Sequence, residues 1–413
     1  MLSRGSAPPR GVITADLRGR RVVLGVTGGI ASYKSVLLAR LLTQRGAAVD
    51  VVMTRSACEF VGPITFEAVT GRRVHSDIFA TGDALAHIRL ARSAECIVVA
   101  PATADFIARA VHGRADDLLA AMLLAAECPV LLAPAMNDRM WAHEQTRRNA
   151  AHAREIGYTV LDPDSGPLAF GEGEGPGRLP EAETIAAQVE RLLSGPSPLS
   201  GQRVVVTAGG TREPIDPVRF ISNHSSGKMG VALAAAAFAR GAHVTLIAGS
   251  MEVSPPSGVD VVRVVTAADL ERELRIALPR TAVLIMAAAP ADFRPAAVAD
   301  RKIKKGARPT CIELTDTPDI LSGTRADRPG GMIAVGFALE TDDLVANARK
   351  KLEGKGLDLV VGNRAGVTGE GFGAETNRVT LVSAEGAEEL ALASKREIGE
   401  QILERVEALL KGR

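Results

Sequence analysis

RVVLGVTGGIASYKSVLLARLLTQRGAAVDVVMT, residues 21–54, decides the fold. It opens on RVVLGV, a continuous apolar run too short for a helix, which predicts a strand covered on both faces. Gly28 and Gly29 break the run, and the following residues carry apolar side chains at helical spacing as far as about Arg45. Gly46 stops that helix, and a second apolar run follows. Strand, glycine turn, helix and strand make a βαβ unit, whose crossover sets the two strands parallel.

The same alternation continues outward. CIVVAPAT (96–103) and PVLLAPAM (129–136) read as further strands, separated by the helical stretch ADFIARAVHGRADDLLAAMLLAA. At LLSGPSPLSGQ (192–202) small residues and prolines interrupt the pattern, which is linker composition. RVVVTAGGT then restarts with a strand and a glycine turn, followed by a polar loop, a helix through GKMGVALAAAAFARGA and the strand HVTLIAGS. The expected architecture is α/β, with two tandem doubly wound, Rossmann-like parallel-sheet domains. Their bounds are 20–192 and 202–413, with a linker over 193–201 and a loose leader over 1–19 to which no function is assigned. In such sheets ligands sit beyond the carboxyl ends of the strands.

Composition narrows the function classes. The 413 residues suffice for two or three cores, and 46% hydrophobic with 23% charged residues describes a folded globular chain. With 49 basic against 48 acidic residues there is no global field to draw nucleic acid or an anionic membrane, so any anion site is local. Cys58, Cys96, Cys128 and Cys311 are scattered, without zinc-ligand or dithiol spacing, and fit a reducing compartment. No apolar run approaches a membrane span, and the N-terminus lacks a signal-peptide core, so the expected location is the cytoplasm.

The turn TGGIASYK allows backbone amides at a helix N-terminus to approach an anion, a phosphate being the natural guest. Its spacing is neither the dinucleotide fingerprint nor the P-loop, and a tight connection is the plain alternative. The segments VTGGIASYK, MTRSACEFVGPITFEAVTG, AHIRLAR, APATADFIARAVHGRADDLL and APAMNDRMW occur in order over about residues 20–190. Together they resemble the homo-oligomeric flavin-containing cysteine decarboxylases. The resemblance implies FMN, with its phosphate near Gly28, Gly29, Ile30, Ala31 and Ser32. Further contacts are implied from Thr54, Pro101, Ala102, Thr103 and Met136. It also implies His87 as catalytic base and Asn137 as holder of the substrate carboxylate. The chemistry is coherent: a thiol β to an amide nitrogen offers the electrons left by CO₂ loss no resting place until the flavin oxidises it to a thioaldehyde. A histidine, with its unperturbed pKa near neutrality, suits the proton transfers. Without this company His87 would read as an ordinary surface or core histidine, and Asn137 as a helix cap.

Two positions depart from the family pattern. Phe170 stands where a proton-donating cysteine is usual, in GPLAFGEGEGPGRLPEAETI, and Asp105 replaces a common asparagine. The five glycines between Gly166 and Gly177 suggest a lid over the flavin, with a plain surface loop as the alternative. The Phe170 departure leaves open a second reading, in which an active ligase accompanies a flavin domain that stops at the enethiol or is structural.

From Gly201 onward, VVTAGGTREPIDPVRFISNHSSGKMG, AAAPADFRP, KIKK, TPDIL, VGFALET and KGLDLVVGN resemble the phosphopantothenate–cysteine ligases. Joining a carboxylic acid to an amine needs an activated acyl group, which a nucleoside triphosphate supplies as an acyl nucleotidylate. Clustered positive charge must meet its phosphates, and the KIKK run at Lys302, Lys304 and Lys305 is such a cluster; a solvated surface patch is its plain reading. The resemblance implies CTP, contacted by Ala288, Ala289, Asp292, Lys302, Pro318, Asp319, Ile320, Leu321, Phe337, Lys351 and Lys355. It places Asn223 and Lys302 in catalysis at the acyl-cytidylate step. Thr317 stands where asparagine is common. Mg²⁺ is expected with the triphosphate, held by phosphate oxygens and water rather than by a carboxylate cage.

Both resemblances together imply a bifunctional enzyme of coenzyme A biosynthesis: a CTP-dependent ligase acting on 4'-phosphopantothenate and cysteine, and an FMN-dependent decarboxylase of the product. They also imply homo-oligomers, with trimeric flavin domains and dimeric ligase domains that can combine to a dodecamer. In such an assembly His87 acts at a neighbouring copy's flavin. No nucleic-acid or membrane partner is expected.

Overall fold

RVVLGV forms β1 (Arg21–Val26) of a computed structural model that describes residues 17–79, 81, 84–304, 311–364 and 373–413. The described residues divide into two compact units, 17–195 and 196–413. Residues 1–16 of the expected leader lie outside the described residues. Leu17, near its end, is buried and donates its amide to Arg45 O at 2.7 Å, which ties the last residues of the expected leader to the turn after α1.

In the first unit β1 is followed by α1 (Ser32–Gln44), β2 (Ala48–Met53), α2 (Arg55–Cys58), α3 (Pro63–Thr70) and β3 (Val74–His75). Next come α4 (Ala86–Ser93), β4 (Cys96–Ala102), α5 (Ala104–Val111), α6 (Leu118–Leu124) and β5 (Val130–Pro134). The unit ends with α7 (Asp138–Ala142), α8 (Glu144–Glu155), β6 (Thr159–Val160), β7 (Asp164–Pro167), β8 (Glu174–Arg178) and α9 (Ala182–Leu193). The main sheet has the order β3-β2-β1-β4-β5-β6 and is parallel throughout. Successive strand residues point to opposite faces. Val22, Leu24 and Val26 therefore pack with Leu38 and Leu42 of α1, Phe66 of α3 and Val189 of α9. Val23 packs on the other face with Leu90 of α4, Phe106 of α5 and Leu119 of α6. The Gly-rich segment is an antiparallel hairpin, β7 against β8, rather than an irregular loop.

The second unit runs β9 (Arg203–Ala208), β10 (Arg212–Pro214), β11 (Phe220–Ser222), α10 (Lys228–Ala239), β12 (His243–Ala248), β13 (Asp260–Arg263), α11 (Ala267–Ala277) and β14 (Val283–Met286). It continues with β15 (Phe293–Pro295), β16 (Leu314–Asp316), α12 (Ile320–Gly323), β17 (Ile333–Glu340), α13 (Leu344–Lys355) and β18 (Leu359–Arg364). Its last elements are β19 (Thr376–Asn377), β20 (Val379–Ser383), β21 (Gly386–Glu389), β22 (Ala393–Ser394) and α14 (Lys395–Lys411). The sheet order is β13-β12-β9-β14-β17-β18-β20-β21. Its first six strands form the expected parallel sheet, to which β20 and β21 add antiparallel at one edge. Between β20 and β21 the physical reason is connection length: only Ala384 and Glu385 intervene, enough for a hairpin and too few for a helical crossover. In both sheets the strand order reverses direction beside the first strand, between β1 and β4 and between β9 and β14. Those are the switch points where a crevice opens beyond the strand ends.

Candidate functional site

The first crevice is built around Thr27. Its Oγ1 donates to Pro101 O at 2.7 Å and accepts from the Thr103 amide at 3.1 Å, tying the exit of β1 to that of β4. Gly28 passes so close to α2 that a Cβ there would lie 2.4 Å from Ser56 Cβ. The amides of Gly28, Gly29, Ile30 and Ala31 donate to no carbonyl among the described residues, which leaves them available to an anion at the head of α1. Ser32 does not share in this through its hydroxyl. That group is buried and donates back to Gly29 O at 2.6 Å, because the turn itself needs the bond.

A cavity of about 620 Å³ stands above this turn. Of the residues named from the sequence, Gly28, Gly29, Ile30, Ala31, Thr103, Met136 and Asn137 line it. The hairpin β7–β8 forms the facing wall with Pro167, Leu168, Ala169, Glu172, Gly177 and Arg178. It is strapped down where the Met136 amide donates to Gly177 O at 2.9 Å, and a Cβ on Gly177 would meet Met136 O at 2.2 Å. Asn137 caps α7 with Oδ1, which accepts from the Arg139 amide at 2.9 Å, so its Nδ2 remains to donate.

Other expected residues stand elsewhere. Thr54 is buried and caps α2, its Oγ1 accepting from Ala57 N at 3.3 Å. Pro101, Ala102 and Ser32 support the lining from behind, buried and outside the cavity. His87, on α4, does not line the cavity of its own chain; its Nδ1 is buried and has no hydrogen-bond partner among the described residues. Asp105 is turned away in an ion pair with Arg109 at 3.0 Å. Phe170 is fully exposed at the hairpin tip and does not line the cavity. Sequence reasoning missed Tyr33, Lys34, Met140 and Arg178, although they stand in the quoted segments TGGIASYK, APAMNDRMW and GPLAFGEGEGPGRLPEAETI.

The second crevice repeats the device. Thr207, at the exit of β9, accepts from the Ala288 amide at 3.0 Å, and the Ala289 amide donates to Gly209 O at 2.9 Å. Two adjoining cavities open here, of about 360 and 250 Å³. Ala288, Asp292, Phe337 and Lys351 line both and mark their junction. Pro318, Asp319, Ile320, Leu321 and Lys355 line the smaller; Ala289 and Asn223 line the larger. Lys351 donates from Nζ to Phe337 O at 2.5 Å, and burial, with Lys355 adding to it, lowers its pKa. Lys355 donates to Asp319 Oδ1 at 3.2 Å, linking α13 to α12. Thr317 donates from Oγ1 to Ala291 O at 2.5 Å, pinning the turn before Pro318.

Asn223 spends both amino protons on backbone, donating to Ala289 O and Pro290 O at 2.9 Å each. It thereby holds the floor of the larger cavity, and only its Oδ1 is left to receive a bond. Lys302 is exposed and lines neither cavity. Its neighbour Ile303 is anchored, its amide donating to Asp216 Oδ2 at 3.1 Å and its carbonyl accepting from Arg219 at 2.8 Å. Lys305 lies outside the described residues. Sequence reasoning missed Lys228, Asn363, Asn377 and Lys395, all lining the larger cavity. SSGKMG was the available signal for Lys228, and nothing local marks Lys395.

Comparison with known proteins follows this division. A family model described as "Flavoprotein" matches residues 13–194, and one described as "DNA/pantothenate metabolism flavoprotein C-terminal domain" matches residues 199–410. The "Coenzyme A biosynthesis bifunctional protein CoaBC" of Mycolicibacterium smegmatis is 47% identical over 408 residues, covering 95% of this chain and 98% of its own. The protein of that name from Bacillus subtilis is 44% identical over 401 residues, 96% of this chain and 98% of its own. Among solved structures, the C-terminal domain of such a protein is 36% identical, with a TM-score of 0.45, over 52% of this chain and 100% of that one. Among the described residues no helix is long and apolar enough to cross a membrane. Identity at this level, sustained across both units, means that the chain belongs to the family of coenzyme A biosynthesis bifunctional proteins.

Proposed function

We propose that residues 202–413 ligate 4'-phosphopantothenate to cysteine at the expense of CTP, through an acyl-cytidylate, releasing CMP and pyrophosphate. Residues 20–192 then decarboxylate the 4'-phosphopantothenoylcysteine to 4'-phosphopantetheine with FMN, and 193–201 connect the two. The observation that carries this reading is the pair of crevices at equivalent switch points, one beside a free-amide turn with an apolar wall, the other lined by lysines.

The first cavity fits FMN. Unspent amides at the head of α1 suit its phosphate, and Ile30, Met136, Met140 and Leu168 suit its ring. When bound, FMN supplies the two-electron oxidation that makes the substrate's thiol end an electron sink. Asn137 directs Nδ2 at the substrate carboxylate and orients it for departure as CO₂. His87 handles the proton. Because it lies outside its own chain's cavity, it serves the cavity of a neighbouring copy, which agrees with trimeric flavin units. The reading in which the flavin unit stops at the enethiol gains no support from Phe170, whose side chain stands outside the cavity.

In the second unit the smaller cavity takes the cytidine, with Pro318 to Leu321 against base and ribose and Lys351 and Lys355 toward the phosphates. Asn223 keeps the Ala289–Pro290 floor in place and offers Oδ1 at the acyl transfer. Lys302 joins this step on the strength of the KIKK motif. Mg²⁺ enters with the triphosphate. Dimeric ligase units, assembly to a dodecamer and a cytoplasmic location complete the proposal, and sedimentation of the full chain measures the assembly. Incubating the purified protein with 4'-phosphopantothenate, cysteine, CTP and Mg²⁺ tests the whole. Pyrophosphate release should require both acid and cysteine, and mass spectrometry should find 4'-phosphopantetheine. A colourless protein that takes up no FMN and ignores CTP would sink the proposal.

A further inference from the structure

The four residues of α12 are too few to hold themselves in place. A helix leaves its last carbonyls without partners of its own, and in a single turn those are most of what it has. Yet α12 carries Ile320 and Leu321 into the lining of the smaller second cavity. Side chains from outside take up its carbonyls. Arg328 donates from Nη2 to Leu321 O at 2.5 Å, and Arg275 of α11 donates from Nη2 to Gly323 O at 2.8 Å.

Arg328 reaches further than Arg275. Its Nη1 donates to Lys355 O at 3.0 Å and to Gly356 O at 2.9 Å, at the C-terminus of α13, where a cation meets the favourable end of the helix dipole. One guanidinium thus joins the turn that ends in Leu321 to the helix that presents Lys351 and Lys355 to the same cavity. A guanidinium is a planar fork that fixes both partners at once, whereas an ammonium on a flexible stem does not.

A second bridge joins the same two elements, but it is of another kind. Lys355 donates to Asp319 Oδ1 at 3.2 Å, and the Asp319 side chain is half exposed. Lys355 also lines the cavity, so a nucleotide phosphate competes with Asp319 for it. Arg328 lines neither second cavity and bonds only to neutral carbonyls, so no bound phosphate draws it away. Its link is the one that persists when Lys355 turns to a ligand.

We infer that Arg328 is a positioning residue of the nucleotide site, holding the turn 318–321 at a fixed distance from α13 so that one geometry serves both base and phosphates. The inference rests on the reading that sets the cytidine against Pro318 to Leu321, and deepens it by naming what keeps that turn selective. Cytosine offers an amino donor at the ring position where uracil offers a carbonyl acceptor. A turn tells them apart only while its own groups stay in place.

The test uses the full chain and pyrophosphate release, with kcat/KM determined for CTP and for UTP and KM for 4'-phosphopantothenate and for cysteine measured alongside. Arg328→Lys keeps the charge and loses the fork. KM for CTP should rise roughly 10- to 100-fold, the cost of a displacement on the order of 1 Å in a site. The preference for CTP over UTP should fall by roughly tenfold or more, as a hydrogen-bonding site loses its discrimination. KM for the acid and for cysteine should move less than about threefold, a spread that ordinary surface substitutions also produce. Arg325→Met is the comparison, since Arg325 caps the same helix end through Gly354 O at 3.3 Å and makes no hydrogen bond to α12 among the described residues. It should leave the preference for CTP unchanged. An Arg328→Lys protein with unaltered preference, a loss shared equally by all the substrates, or the same loss of preference in Arg325→Met overturns the inference and leaves the ligase reading intact. A wild-type protein that releases no pyrophosphate from CTP, or does not prefer CTP to UTP, defeats the nucleotide reading itself and the inference with it.

Discussion

The crevice between β1 and β4 and the crevice between β9 and β14 occupy the same place in two sheets of like topology. Each is opened by a threonine at the end of the first strand, Thr27 or Thr207, that binds the exit of the neighbouring strand. Beyond that the two diverge. The first is faced by Ile30, Met136, Met140 and Leu168, with Lys34, Glu172 and Arg178 as its charged lining beside the amides of one turn; the second is faced by Lys228, Lys351, Lys355 and Lys395. Topology sets where a ligand sits, and the side chains just past the strand ends set which ligand it is. An aromatic ring system asks for apolar walls and a single phosphate cradle. A triphosphate asks for several cations, which must be buried deeply enough to act strongly and are destabilised by that burial.

Substitutions that touch one crevice and spare the other sharpen this contrast. The largest effect is expected from His87→Asn, which should lower decarboxylation by roughly 10²- to 10⁴-fold, the usual worth of a general acid–base group. CTP-dependent pyrophosphate release should be unchanged; a parallel fall in both activities would show that the units do not act independently. Lys351→Met should raise KM for CTP roughly 10- to 100-fold with the flavin absorbance intact. Because burial lowers the Lys351 pKa, CTP affinity in the wild type should weaken with rising pH earlier than an ordinary lysine would allow. A CTP KM that is flat through the alkaline range argues against Lys351 as a phosphate ligand.

Gly28→Ala probes the first crevice by sterics alone, since the new Cβ would lie 2.4 Å from Ser56 Cβ. Overpacking of about 1–3 kcal/mol at the turn should weaken FMN binding roughly 5- to 100-fold, read by fluorescence of released flavin, with no change in KM for CTP. The smallest effect belongs to Phe170→Ala at the hairpin tip. Thermal stability should change by less than about 0.5 kcal/mol, as for other surface positions, and the product mass should remain that of 4'-phosphopantetheine. An unsaturated thiol as the wild-type product would instead revive the reading in which the missing cysteine matters.

Local signals carried much of this protein. The apolar runs at Arg21–Val26 and Arg203–Ala208, the glycines that follow them and the helical spacing after each are enough to specify two βαβ beginnings and two crevices. These features depend on periodicity and backbone freedom, which a residue and its near neighbours determine. Which side chains face a ligand depends instead on burial and on bonds between distant parts of the chain. Ser32 stands in the expected phosphate turn, yet its hydroxyl is turned back to Gly29 O because the turn consumes it. Asn223 carries the expected amide, yet both its protons are spent on the Ala289–Pro290 carbonyls. Lys395 lies 167 positions from Lys228 (395 − 228), with no motif around it, and reaches the same cavity only because α14 packs on α10. Sequence alone thus determined the strands, the turns and the location of both crevices, because those are written in short-range pattern. Tertiary structure decided the lining, because a side chain's orientation is settled by whatever the rest of the fold packs against it.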